Sequence, residues 1–340
     1  MLSATGDKIN LEVARIVRRS DGTKPMPEGG TFTFSDPDSF AAAFEDASVN
    51  LTITGVGEFK SQLTSLRLKS IKLYRCFEDL PRIAYFSFHP ESIFFLFPLD
   101  STLPLFGGIA VRNGNMVFHG GGEPLHQRFR GACQWGLVAV ANERFASWYK
   151  ALTGRTITAS RESRIISPPR TTAIKFQRLF KRTCELAEDR GNFIERPEAA
   201  RALEHELLHA LTDCLTADKA EDDRSARHHH AAVMVRLEEV LSRRIDGRHN
   251  MRALCAEIGV AERTLRMCCA EFLGVSPTRY ILLRRLNRAR AALRRADPST
   301  ASVAQVARNH HFLELGRFAV TYRTTFGELP STTLQRNART

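Results

Sequence analysis

The spacing of apolar residues changes character near residue 142. From about Asn50 to Ala141, short runs rich in Phe, Ile, Val and Leu (NLTITGV, LTSLRLKSIKLYRCF, IAYFSFH, IFFLFP, MVFHG, WGLVAVA) are separated by turn-forming residues such as Gly107-Gly108, Asn113-Gly114-Asn115 and Gly120-Gly121-Gly122. Runs this short, with turns this regular, predict a β-sandwich or small barrel. Ahead of them, SDPDSFAAAFEDA (35–47) predicts a short helix, with an Asp-Pro start and Phe40 and Phe44 one turn apart. Residues 1–30 are polar and broken by Gly and Pro, and predict a flexible arm.

Beyond Asn142 the apolar period lengthens to that of helices. ERFASWYKALTG ends at Gly154, and RTTAIKFQRLFKRTCELAEDRG places Phe176, Leu179, Phe180, Cys184 and Ala187 on one stripe before Gly191. PEAARALEHELLHALTDCLTAD follows, with Pro197 suited to a first helical turn. The almost wholly polar DKAEDDRSARHHH (218–230) predicts a linker. The chain thus divides into an arm (1–30), a β-rich part (31–141), a helical segment (142–217), the linker (218–230) and a last, purely helical domain (231–340), an α+β multidomain class.

Charge sharpens the picture of that last domain. Of a net charge of +12, residues 231–340 hold +10, from 19 Arg against 9 Asp and Glu, with no lysine. The planar arginine fork suits phosphates and the guanine edge, so the excess predicts a polyanionic partner, nucleic acid first. The longest apolar cluster, Ile93–Pro98, is too short to span a bilayer, and the opening residues pair no basic cluster with a long apolar run. No membrane role and a cytoplasmic, nucleoid-associated location are expected. The seven cysteines show no CxxC spacing, so neither a disulfide framework nor a Cys-ligated zinc is expected. Cys268 and Cys269 read as small buried residues, with redox sensitivity as the other reading.

One motif points elsewhere. HELLH (205–209) has the spacing of a zinc-protease helix, with His205 and His209 one turn apart and Glu206 to activate water. On the helical wheel, however, Ala200, Leu203, Leu207, Ala210, Leu211 and Cys214 share one face, at about 100° per residue, and both histidines fall almost opposite. No third ligand follows in the usual form. His228 to His230 lie in the linker, and His89, His119 and His126 read as core or rim residues. A zinc hydrolase using His205, Glu206 and His209 stays open as the alternative; no enzyme activity, no cofactor and no metal are expected.

In MRALCAEIGVAERTLRMCCAEFLGVSPTRY (251–280), Leu254 and Ile258 face inward from a short helix. Gly259 permits a tight turn, Val260 is a buried pivot, and a second helix turns Leu265, Cys268/Cys269 and Phe272 toward the first. This is a helix-turn-helix, whose second helix enters the major groove. Its outward residues, Glu262, Arg263, Arg266 and Met267, are candidate base readers. SVAQVARNHHFLELGRFAVTYRTTFGELPSTTL (302–334) repeats the plan, with Phe318, Tyr322 and Phe326 inward, and Glu314, Arg317, Val320 and Thr321 as outward candidates. Between them runs a helix of about 17 residues, roughly 26 Å, close to the 34 Å or so that separates successive major-groove faces. Arg284, Arg288 and Arg295 along it, with Arg323, are the candidate phosphate contacts.

The two units, IGVAERTLRMCCAEFLGVSPTRYILLRRLNRARAAL and SVAQVARNHHFLELGRFAVTYRTTFGELPSTTL, resemble the AraC/XylS family of bacterial transcription regulators over about 100 residues. One departure is His311-Phe312 in the second turn, where the family usually carries Gly-Phe. The resemblance implies a C-terminal tandem helix-turn-helix domain binding double-stranded promoter DNA. It also implies an N-terminal, cupin-like β-barrel with trailing helices for effector sensing and dimerisation. By that analogy 31–141 is the sensor and 142–217 the dimerisation segment, HELLH included. The expected protein is an effector-responsive activator, a homodimer, with a small-molecule effector and RNA polymerase as further partners. A ligand-binding protein whose helix-turn-helix no longer reads DNA is the other reading left open.

Overall fold

The computed structural model describes residues 29–157, 163–188, 196–218, 225–243 and 250–336. Almost all of the arm (1–28), the glycine stop at 191 and residues 219–224 of the linker lie outside them.

The described residues open with β1 (Gly29–Phe34) and the short helix α1 (Pro37–Ala42), whose N-cap Asp36 accepts from the Ser39 amide. Next come β2 (Ala47–Ile53), β3 (Ser61–Arg67), β4 (Ile71–Glu78), β5 (Arg82–Phe88), β6 (Ser92–Pro98), β7 (Leu105–Phe106), β8 (Ile109–Ala110), β9 (Met116–Gly120), β10 (Pro124–Phe129) and β11 (Cys133–Ala141). Helix α2 (Asn142–Thr153) precedes the last strand, β12 (Arg164–Ile166). The strands form two antiparallel sheets, one ordered β1-β3-β4-β11-β6-β9-β12 and the other β2-β5-β10-β7-β8. Their inner faces share one core, in which Phe44 and Phe86 meet Trp135 and Phe88 meets Phe94. A buried ion pair of Arg82 with Glu78 (2.6 Å) joins the sheets from within.

The larger sheet is buried on both faces, which explains why IFFLFP and WGLVAVA show continuous apolar character rather than alternation. Phe94 and Leu96 point into the sandwich; Phe95 and Phe97 point out, against helices. The cover on that side is α2, α3 (Arg170–Glu188) and α4 (Pro197–Thr216). Phe176 and Phe180 of α3 pack edge-on against Phe97 with centroids 5.0 and 4.9 Å away, and Leu207, Leu208 and Leu211 of α4 are fully buried. Each such side chain contributes about 1.5–3 kcal/mol, so the apolar stripes of all three helices are spent on the sheet.

Helix α5 (Ser225–Arg243) begins inside the stretch that polarity alone assigns to the linker. Residues 225–230 form the early turns of this helix, whose buried stripe comprises Val233, Met234, Leu237, Val240 and Leu241. The remainder is α6 (Met251–Ile258), α7 (Glu262–Phe272), α8 (Pro277–Arg295), α9 (Val303–Asn309), α10 (Leu315–Phe326) and α11 (Pro330–Gln335). This helical part packs against the smaller sheet: α7 touches β10, and α8 touches the edge strand β2. Among the described residues no helix is long and apolar enough to cross a membrane.

Candidate nucleic-acid interface

Both helix-turn-helix units are built from the chain's local chemistry. Asn250 caps α6 by accepting from the Arg252 amide, and Gly259 ends that helix in the left-handed region at φ 78°. Ser302 caps α9 through the Gln305 amide, and the matching turn holds His311 at φ 59°, the one non-glycine residue at positive φ among the described residues. The family's customary glycine at that position therefore has a steric reason, since an L side chain crowds the following carbonyl there. Leu265, Cys268, Cys269 and Phe272 turn α7 against α6; Phe318, Tyr322 and Phe326 anchor α10 against Phe312 and α9. Burial pushes the Cys268 thiol up to about 11, and that of Cys269 higher still, which makes both poor thiolates.

The candidate readers project as the helical period requires. On α7, Arg263, Arg266 and Met267 are exposed, and half-buried Glu262 holds Arg266 in an i,i+4 pair at 2.5 Å. On α10, Arg317 and Val320 are exposed, Val320 at 67%, with Glu314 exposed at the N-cap position. Thr321 is half-buried and donates its hydroxyl to the Arg317 carbonyl (2.7 Å). Arg323 is exposed three residues beyond Val320 on the same helix. A bare Val and Met at these positions offer the apolar surface that thymine methyl groups accept.

The arginine-rich helix α8 is a different matter. Arg284, expected on phosphates, is buried and ion-paired with Glu238 of α5. That carboxylate also accepts from the Tyr280 hydroxyl (2.5 Å) and from Nε2 of His126 (3.0 Å), which reaches in from β10. Burial pushes the Glu238 carboxyl up, but Arg284, His126 and Tyr280 together outweigh it and hold it at about 2. A guanidinium so enclosed faces no solvent and no phosphate. Arg295 is exposed but pairs with Asp38 of α1 (3.1 Å), and Arg288 is half-buried with partners of its own. Arg290 pairs with Glu328 (2.7 Å) beneath the surface, its guanidinium 4.5 Å from the Phe326 ring centroid. The charge of α8 is thus engaged largely in ion pairs within the protein, inside the helical domain at Arg284 and Arg290 and across to the N-terminal part at Arg295. Sequence reasoning missed this cluster; its one legible signal is Glu238, a carboxylate beside Leu237 and one turn from Met234 and Leu241 on a buried stripe, which demands a buried cation.

The HELLH helix leaves His205, Glu206 and His209 exposed on α4. His209 pairs with Asp213 (3.3 Å), and His205 lies against Trp148 with centroids 4.9 Å apart. Among the described residues no three His, Cys, Asp or Glu side chains are placed to hold a metal. His119 is buried, its imidazole pushed down to about 4 by desolvation, and contacts Ser163 and the Glu123 carbonyl; His89 is exposed.

Comparison with known proteins agrees with this geometry. Residues 254–336 match the family described as a helix-turn-helix domain. An XylDLEGF operon transcriptional activator of Pseudomonas putida is 43% identical over 75 residues, 22% of this chain and 48% of its own. A probable thc operon regulatory protein of Rhodococcus erythropolis is 40% identical over 78 residues, 23% of this chain and 24% of its own. The chain thus spans less than half the length of these relatives. A crystal structure of a probable AraC family transcriptional regulator from Rhodopseudomonas palustris is 33% identical, covering 31% of this chain and 95% of that one, with a TM-score of 0.28. With two helix-turn-helix units in tandem and matches confined to them, residues 254–336 form a helix-turn-helix domain similar to those of these transcription regulators.

Proposed function

We propose that the protein is a sequence-specific DNA-binding transcription regulator that reads two adjacent major grooves, with the N-terminal sandwich as its sensor. The observation that carries this reading is the pair of recognition helices, α7 and α10, each exposing arginine and an apolar residue while α8 spans the distance between them. At 19 residues, α8 is about 28 Å long, which suits two faces one helical turn of DNA apart. Arg263, Arg266 and Met267 on one side, and Arg317, Val320 and Thr321 on the other, are the proposed base contacts, with Glu262 and Glu314 beside them; Arg323 takes phosphate. The proposed activating role follows the name of the Pseudomonas relative; effector response, homodimerisation, contact with RNA polymerase and a cytoplasmic location belong to the same proposal.

The test is selection of the purified chain against random and genomic fragments across a salt series. Enrichment of a motif spanning two adjacent grooves is the expected result. Binding that is blind to sequence and fades with salt would favour the second reading, a sensor protein whose helix-turn-helix holds DNA without reading it. That reading draws on the His311 turn, where a bulky residue sits in a conformation glycine prefers.

A further inference from the structure

The two helix-turn-helix units do not share a core. The first closes Val233, Leu237, Leu254, Leu265 and Phe272 around Ile83, a residue of β5 in the sandwich. The second runs Leu286, Leu293, Phe318, Tyr322 and Phe326 directly into the sandwich interior, as one continuous cluster. Each unit is therefore joined to the N-terminal domain, while α8 is the main connection between the units themselves.

Polar contacts divide the same way. His126 of β10 reaches Glu238 beneath the first unit, and the Arg128 guanidinium lies against Gly274 at the end of α7. At the second unit, β2 is an edge strand, and the Asn287 side chain pairs with it as a neighbouring strand would. Its Oδ1 accepts from the Ile53 amide and its Nδ2 donates to the Ile53 carbonyl, both at 3.0 Å. The Gly57 amide donates to the Phe326 carbonyl (3.3 Å), Arg290 donates to the Gly57 carbonyl (3.3 Å), and Arg336 pairs with Glu58 (2.8 Å). Gly327, at φ 77°, leaves no room for a Cβ beside Val56. Beyond them, Arg294 meets Asp36 (3.2 Å) and Arg295 meets Asp38.

From this arrangement we infer that the N-terminal domain is a splint: by gripping each unit separately it fixes the orientation of the two recognition helices relative to one another, and so sets which separation of half-sites the protein accepts. The readers stay exposed while the splint is in place, so docking governs geometry without masking the DNA-binding face. A signal that loosened the Val56–Glu58 loop would widen the range of sites rather than abolish binding. The consequence for DNA rests on the function proposed above; the grip itself does not.

The experiment uses the full chain, with spin labels on the exposed positions Ala256→Cys in α6 and Thr324→Cys in α10; the seven native cysteines are buried. The undocking variant is Val56→Glu with Glu58→Arg, two exposed loop positions, and Asn287→Ala is the second variant. A narrow distribution of label distances in the parent, broadened in either variant, is expected. An equally narrow distribution in both variants would overturn the splint, because α8 alone would then hold the units. On the selected DNA site, insertion of two base pairs between half-sites should cost the parent about tenfold or more in affinity, and the undocked variant no more than about threefold. Broadened distances with unchanged spacer discrimination would overturn the role in site selection. A parent that binds no specific sequence would count against the regulator reading, and the label distances would still judge the grip.

Discussion

The two helix-turn-helix units follow one backbone plan and are stabilised by different physics. Each has a capped first helix, a left-handed turn residue and a recognition helix with an apolar inner face. The first, however, is centred on a buried carboxylate, Glu238, that gathers His126, Tyr280 and Arg284. The second is centred on aromatic packing, with Phe318 to Tyr322 at 5.5 Å and Tyr322 to Phe326 at 4.8 Å between centroids. A buried charge cluster is unforgiving of a missing partner, whereas an aromatic core loses stability in proportion to the surface removed. The same backbone plan can therefore rest on supports with opposite sensitivities.

The largest effect should come from Glu238→Ala. It strands Arg284 in the interior and should cost about 3–5 kcal/mol, read as a lower urea midpoint. The same group predicts acid sensitivity. Because the folded carboxyl titrates near 2, below its ordinary value of 4.5, its contribution is complete above about pH 4.5 and lost as pH falls toward 2. Unfolding at pH 6 and pH 3 should differ more for the parent than for Glu238→Gln; equal pH dependence would show that the cluster is not the source.

Next in size are the readers. Arg266→Ala and Arg317→Ala should each cost about 1–3 kcal/mol at the selected site and relax preference at one position. The comparison between them tells whether both units read bases; a uniform small loss on every sequence for one of them would mark it as a phosphate contact. Arg323→Ala should lower the salt slope by about one. Arg284→Ala should leave that slope unchanged among molecules that remain folded, since its charge never reaches the surface.

Smaller still is His311→Gly. Relief of the left-handed backbone at φ 59° is partly offset by the entropy glycine loses on folding, so a gain below about 1 kcal/mol is expected. Calorimetry that showed a loss would mean that the imidazole's own contacts outweigh the strain. His205→Ala and His209→Ala should change stability by no more than about 0.5 kcal/mol, and zinc titration of the parent should show no saturable site at HELLH; stoichiometric zinc lost in the double variant would revive the hydrolase reading.

Much of this was readable from local pattern. Helical stripes in α3, α4, α7 and α10, the glycine stop at Gly154 and the outward set on each recognition helix depend on residue periodicity, which a chain carries without its neighbours. Strands β1, β10 and β12 went unrecognised because their apolar content is short or interrupted: PLHQRF holds two charged or titratable residues that face another domain, not water. The helix that begins at Ser225 is hidden in the polar stretch for the converse reason, since polarity marks an exposed helix face as readily as a loop.

Arg284 shows where the sequence stops. Arg263, Arg266, Arg284 and Arg290 are the same residue type, on helices of similar amphipathic pattern, and only tertiary contact separates the two exposed arginines from the two buried in ion pairs. What the chain's own order determined was the units: periodicity and capping are local, acting over three or four residues, and they specify two helix-turn-helix motifs and a β-rich domain. What the tertiary structure decided was the partner of each charge, because desolvation and ion pairing depend on groups far apart in sequence. Glu238 meets His126 across 112 residues, and Asn287 meets Ile53 across 234.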